Sequence, residues 1–271
     1  MTINRARSLA LAAAVGALAM TGGARAADDD AARQERWTDL RQSVFGDKKV
    51  EAGDLVSIDA PKRAEDASLV PITLRVSKPG DVTSTTLIID DNPSPVATKV
   101  VFGPAGDPAV MKFRVRVDTY TNVHAVAETK DGGLIENAVF LKASGGCSAP
   151  AGSSEQDAMA GMGEMRLKVR DDVTPGKTAQ ATLMIRHPNF NGMQMDQIKR
   201  TYTPARYIKE IKVTYNGKDV FGLTSDISLS TNPVIEFGFK PDAPQGEIKV
   251  SATDTADGHW EKTFQVPNQS N

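Results

Sequence analysis

A single cysteine, Cys147, stands among small residues in the run Ser144-Gly145-Gly146-Cys147-Ser148-Ala149-Pro150. One cysteine cannot close an internal disulfide. It is therefore either a small buried hydrophobe or a thiol kept for intermolecular chemistry. The neighbours favour the second reading, because a core cysteine sits inside a periodic apolar segment and none surrounds Cys147. Gly145, Gly146 and Ser148 keep the backbone thin and leave the sulfur unshielded. Such a thiol titrates near ~8.5 and is only slightly ionised at neutral pH. From Ala143 to Gly163 there is no His, Lys or Arg to activate it. Cys147 thus reads as an attachment point loaded and unloaded by other proteins, and no catalytic residue is assigned.

The other candidates for chemistry are weaker. His124 lies in a strand pattern, His187 precedes Pro188 at a strand end, and His259 follows a turn. Their spacing matches no metal motif, and no signature supports a Cys–His–Asn enzyme. Met159, Met162, Met165, Met193 and Met195 could serve a soft metal, but linker filling and loop packing account for them better. Neither a metal nor a cofactor is expected. The chain carries a net charge of −2 with no basic cluster, which disfavours nucleic-acid binding.

Positioning such a cysteine falls to the elements around it. Arg5 and Arg7, the apolar run Leu9 to Met20 and the small-residue site Ala24-Arg25-Ala26 form the three parts of an export signal. Its apolar run is too short to span a bilayer, so no membrane insertion of the mature protein is expected. Cleavage after Ala26 removes three bases and no acid, taking the net charge from −2 to −5. Residues 28–45 predict one helix, with acids at its start, an apolar stripe of Trp37, Leu40, Val44 and Phe45, and Gly46 as its cap. This stripe is expected to lie on the first domain.

Beyond it, six strands are predicted over 69–77, 84–90, 96–102, 111–117, 123–129 and 134–142. Seven more follow over 165–170, 178–186, 207–215, 219–223, 233–240, 247–253 and 259–266. Alternation of apolar and polar residues marks them, and Asn216-Gly217 is a two-residue hairpin turn. The expected fold is all-β: two immunoglobulin-like antiparallel sandwiches, residues 27–142 and 164–271. Residues 143–163, rich in Gly, Ser and Ala and without periodicity, are expected to form a flexible linker that carries Cys147.

Several segments carry a family resemblance. Val123-His124-Ala125-Val126-Ala127-Glu128, the turn Asp131-Gly132 and the ending Ser144-Gly145-Gly146-Cys147 resemble SoxY, the sulfur-carrying subunit of bacterial thiosulfate oxidation. Ile185-Arg186-His187-Pro188, Ile208-Lys209-Glu210-Ile211, Tyr215 to Phe221 and Ser230-Thr231-Asn232-Pro233 resemble its partner SoxZ. A chain with both in tandem is similar to the SoxYZ-like carriers associated with quinoprotein dehydrogenases. In SoxY the Gly-Gly-Cys-Gly-Gly arm is a free C-terminus, whereas here Ser148-Ala149 follow the cysteine and the chain continues.

The resemblance implies a periplasmic carrier, not an enzyme, holding a sulfur-containing group on Cys147 with Gly145, Gly146 and Ser148 as its arm. Its implied partners are periplasmic sulfur-oxidising enzymes, a quinoprotein dehydrogenase system, or both. A binding or accessory module of a quinoprotein dehydrogenase, with the thiol incidental, is the alternative from another class. The export reading predicts that N-terminal sequencing of the protein from its native cells begins at Ala27. Recovery of Met1 would overturn it.

Overall fold

The computed structural model describes residues 21–149, 155–170, 173–196 and 200–267. It comprises two units, one up to Gly46 and one from Asp47 onward. The first contains the helix α1 (Thr21–Phe45). Over the described residues the helix already includes the stretch before the expected Asp28, where Ala24, Ala26 and Ala27 are strong helix formers. The acids Asp28 to Asp30 consequently fall inside the helix rather than at its start. Gly46 closes it at φ +62°, donating its N–H to Gln42 O at 2.9 Å, the left-handed ending that glycine adopts without strain. Residues 1–20, most of the expected export signal, lie outside the described residues.

The second unit is built of strands. Its first half contains β1 (Val50–Ala52), β2 (Val56–Asp59), β3 (Val70–Val76), β4 (Val82–Ile89), β5 (Val96–Phe102), β6 (Gly106–Val115), β7 (Thr121–Thr129) and β8 (Leu134–Leu141). A short helix α2 (Glu155–Met159) and β9 (Met165–Val169) open the second half. There follow β10 (Ala179–Ile185), β11 (Met195–Asp196), β12 (Thr201–Tyr202), β13 (Ile208–Tyr215), β14 (Lys218–Ser225), β15 (Val234–Phe239), β16 (Gly246–Asp254) and β17 (His259–Val266). Each half is a β-sandwich, as the alternating pattern implies. All thirteen predicted strands are present, and β5 and β17 have the predicted ends. The short β1, β2, β11 and β12 were not foreseen, since two to four residues are too few to show a period.

The two sandwiches abut edge to edge. One sheet runs β1-β8-β7-β4-β5-β14-β13-β16-β17 and the other β2-β3-β6-β15-β10-β9, so both cross from one half to the other. At the crossings β5 pairs with β14, from Phe102↔Phe221 to Thr98↔Ser225, and β6 pairs with β15, from Lys112↔Glu236 to Gly106↔Phe239. The β6–β15 register shifts between Phe237 and Gly238, where Pro108 falls on β6. A proline has no N–H to give a ladder, and the bulge is where its loss is tolerated.

A single hydrophobic cluster runs between the sheets through both halves, from Ile72, Leu74 and Phe113 to Phe221, Phe237 and Ile248. At the seam the rings of Phe221 and Phe237 meet edge to face, with centroids 5.0 Å apart. Phe237 is fully buried, so Phe237→Ala should cost ~3–5 kcal/mol. Because the core is shared, urea unfolding followed by far-ultraviolet circular dichroism and by tryptophan fluorescence should show one common transition displaced to lower urea. Two separate transitions would show that the halves fold independently.

Candidate functional site

The site is the segment after β8. Lys142 is tied to the loop before β3, donating its N–H to Lys62 O and accepting from Ala64 N. The chain then turns over the end of β6. Gly145 donates to Asp118 O at 2.7 Å and Gly146 to Val117 O at 3.0 Å. Gly145 takes φ +75°, which a side chain disfavours. Gly146 has a different reason for being glycine: a Cβ there would run into Ala67 O and Val117 O. The backbone of the arm therefore lies flat on the first sandwich, and Cys147 follows with no exposed surface.

This differs from the unshielded tether expected from composition. Within it Ala143, Gly146 and Cys147 are buried, and their small size is what lets them pack. Glycine brings backbone against backbone, and the main-chain groups find partners that composition does not reveal. Ser144 and Ser148 on either side remain exposed, so the buried part of the arm is short. Residues 150–154 of the expected linker lie outside the described residues. After them come α2 and a turn in which Gly163 donates to Arg186 O at 2.8 Å.

Second-half residues complete the enclosure. Asn191, itself buried, donates Nδ2 to Cys147 O at 2.6 Å and accepts Met193 N–H on Oδ1 at 3.0 Å. Gln194 reaches Ala149 O through Nε2 at 3.4 Å. A polar frame holds this loop. Asn189 donates to Ser230 O and accepts Ile208 N–H, while its own N–H goes to His187 Nδ1 at 3.0 Å. The other ring nitrogen of His187 lies 3.3 Å from Asp254 Oδ2, which also accepts Arg206 Nε at 2.7 Å. Burial lowers the His187 pKa against the pull of Asp254, so the ring is neutral with its proton on Nε2. Burial also opposes the charge of Asp254. Arg206 and the N–H groups of Gly258 and Ala256 nevertheless hold its carboxyl at about 2.

The electrostatics at the thiol are set by burial and by two residues of the first sandwich. Burial pushes the Cys147 thiol up to about 11, Asp118 adds to the rise, and Arg116 opposes it. Arg116 is 1% exposed and donates to Leu229 O at 2.6 Å, Ile227 O at 3.1 Å and Thr231 Oγ1 at 2.9 Å, none of them a carboxylate. Burial draws its guanidinium down to about 10, and the neighbouring Cys147 resists that fall. Asn92 braces the same stretch, donating to Arg116 O and Ser228 Oγ, both at 2.8 Å, and accepting Asp118 N–H. Among the described residues no side chain hydrogen-bonds the sulfur.

Of the residues singled out beforehand, the structure brings Gly145, Gly146 and Cys147 together, with Ser148 at the exposed rim, its Oγ 3.4 Å from Gly145 O. Of the histidines, His187 belongs to the frame beneath Asn191, and the other two lie in other settings. His124 is buried between Asp90 Oδ2 at 3.2 Å and Glu136 Oε2 at 3.4 Å. Burial disfavours its charge, yet the two carboxylates outweigh it and raise its pKa. His259 is exposed near Glu261. Among the described residues no three of His, Cys, Asp and Glu converge as a metal site. The methionines divide: Met165 is core, and Met195 is partly exposed. Arg116, Asp118, Asn191 and Gln194 were not anticipated. The one signal for the last two was polar density in the loop Asn189-Phe190-Asn191-Gly192-Met193-Gln194.

Two family models match the chain: sulfur oxidation protein SoxY over residues 41–147 and sulphur oxidation protein SoxZ over residues 165–265. The first match ends on Cys147. Among solved structures, the sulfur carrier protein SoxY from Chlorobium limicola f thiosulfatophilum is 22% identical. It covers 43% of this chain and 98% of its own at a TM-score of 0.36. Superoxide reductase (neelaredoxin) from Ignicoccus hospitalis is 15% identical over 38% of this chain and 90% of its own, with a TM-score of 0.30. A comparison with curated proteins finds no match.

The enclosure makes a prediction at Gly146. Gly146→Ala adds a methyl group that the closed arm cannot hold, so the thiol should move into water and lose its desolvation. The thiolate titration, followed by absorbance at short ultraviolet wavelengths, should fall from about 11 towards the free-thiol value of ~8.5. An unchanged titration in a folded variant would mean that the arm closes without contact at this backbone.

Proposed function

Because the chain belongs to the fused SoxY–SoxZ family, with both sulfur-oxidation parts in tandem, we propose that it is a non-catalytic carrier holding a sulfur-containing group covalently on Cys147. The observation that carries this reading is the position of the cysteine. It is the last residue of the SoxY match, on a Gly-Gly-Cys arm, and among the described residues no base is hydrogen-bonded to it. A thiol near 11 is a poor nucleophile at neutral pH, which suits a group loaded by a partner better than one that starts a reaction itself. The second sandwich supports the first by completing its sheets and by covering the arm.

The reading extends to location and partners. The N-terminal pattern of arginines, apolar run and small-residue site supports export to the periplasm. The family supports sulfur-oxidising enzymes as the loading and unloading partners. Association with a periplasmic quinoprotein dehydrogenase rests on the resemblance to fused carriers of that type. Among the described residues no helix is long and apolar enough to cross a membrane. The domain division of this reading is residues 27–142 and 164–271, with the arm between them.

Protein from cells grown on thiosulfate should carry extra sulfur or a sulfur oxyanion on Cys147, visible by intact mass. Reductant should remove it where the link is a sulfur–sulfur bond, which exchanges with thiols. Cys147→Ser should abolish the adduct and the growth phenotype while keeping the fold, because Cys147 lies outside the shared hydrophobic cluster. Wild-type growth of Cys147→Ser cells, with a defect on deletion of the whole gene, would replace the carrier by an accessory module of the dehydrogenase.

A further inference from the structure

The arm buries very little apolar surface. Gly146 has no side chain, Cys147 contributes a single thiol, and Ser144 and Ser148 stay in water. Hydrophobic burial scales with apolar area, so it cannot be what holds this segment down. Directional bonds must do so, and they come from two sides. The first sandwich offers main-chain carbonyls to Gly145 N and Gly146 N. The second offers two side chains.

Those two side chains are unequal. The Asn191 amide is used at both ends: Nδ2 on Cys147 O at 2.6 Å and Oδ1 on Met193 N–H at 3.0 Å. It is buried, and its loop is fixed by Asn189 and His187 beneath it, so the donor is pre-aimed. Gln194 makes a long contact of 3.4 Å to Ala149 O, and among the described residues its buried Oε1 has no hydrogen-bond partner. An orphaned acceptor penalises the closed arm, and water would satisfy it once the arm lifts. The closed state is therefore held by one strong bond from the second half and opposed by one unmet group beside it.

We propose that Asn191 is the positioning residue of the carrier arm: its amide latches Cys147 shut, and the thiol becomes reactive only when that bond is released. Its purpose rests on the carrier reading, but the latch is a property of the unloaded protein. The thiol then reacts at the open fraction of the arm multiplied by the rate of a free thiol. The sign of the pH effect follows from the raised thiol. Closure is at full strength below the free-thiol value of ~8.5 and is lost as pH rises from there towards about 11, because only the open arm favours the thiolate.

The test uses the full chain and iodoacetamide, with alkylation followed by intact mass from pH 7 to 11. Wild type should react far more slowly than the urea-unfolded chain, and its rate should keep climbing about tenfold per pH unit past ~8.5. Asn191→Ala should react roughly tenfold faster at pH 8, the equilibrium shift expected from one lost buried hydrogen bond, and should level off at lower pH. Asn191→Asp, nearly isosteric, should open the arm at least as far, since a carboxylate would face a carbonyl. It also serves if the alanine variant does not fold. Gln194→Ala should change the rate by less than about threefold.

Folded Asn191 variants with the wild-type rate and pH profile would overturn the latch. So would a wild type that already reacts like the unfolded chain. A faster Asn191→Ala in a protein that never acquires a sulfur adduct would leave the latch standing and remove the carrier reading instead.

Discussion

Pairing of β5 with β14 and of β6 with β15 satisfies four strand edges that would otherwise face water. An exposed edge is a row of unpaired N–H and C=O groups, and a protein must cover or blunt it. Here each half covers the other. The two ladders fix the halves in register, which in turn fixes the loops at the end of the seam. Residues 226–231 are stitched across it: Ser228 O accepts Arg116 N–H at 2.7 Å, and Ser230 N donates to Arg114 O at 3.1 Å. The arm that bears Cys147 lies on the residues that follow β6. Its geometry is thus set by the seam rather than by its own composition.

The seam near the arm is densely polar. Arg116, Asn92, Ser228, Ser230, Asn189 and Asn191 are all buried there. Buried polar groups are expensive unless bonded, and each of these has specific partners. Loops from two halves must meet here with their main-chain carbonyls turned inward, and those carbonyls need donors. Arginine and asparagine supply several donors each, which aliphatic packing could not. A guanidinium surrounded by carbonyls instead of a carboxylate also stays available to the charge of its neighbour, and Cys147 is that neighbour.

The strands were legible because each obeys a local rule. Ile72, Leu74 and Val76 face inward, while Thr73 and Arg75 do not, and this period of two is visible in the letters alone. Asn216-Gly217, both at positive φ, likewise announces the turn between β13 and β14. The family segments were legible for the same reason, being runs of adjacent residues. What could not be read was the fate of Cys147. Its enclosure depends on Asn191, 44 positions later, and on Ala67 and Arg116 far earlier. Glycine-rich sequence has two physical meanings, chain freedom and close backbone approach, and only the surrounding carbonyls decide between them. At Gly146 the second meaning holds.

Close approach and an easily opened arm are not in conflict. In an oxidising compartment a lone thiol is exposed to oxidation and to pairing with other thiols, both of which proceed through the thiolate. Burial guards against this twice, by excluding reagents and by raising the thiol to about 11. A large apolar anchor would give the same protection but would hold the sulfur permanently. Docking a segment of glycine, cysteine and serine through a few hydrogen bonds gives little apolar area to strip on opening, and the exposed Ser144 and Ser148 already bracket it with water. An added sulfur oxyanion would tilt the balance further. On the carrier reading it would bring volume and charge into a space that encloses a bare thiol without any exposed surface, which would favour the open arm.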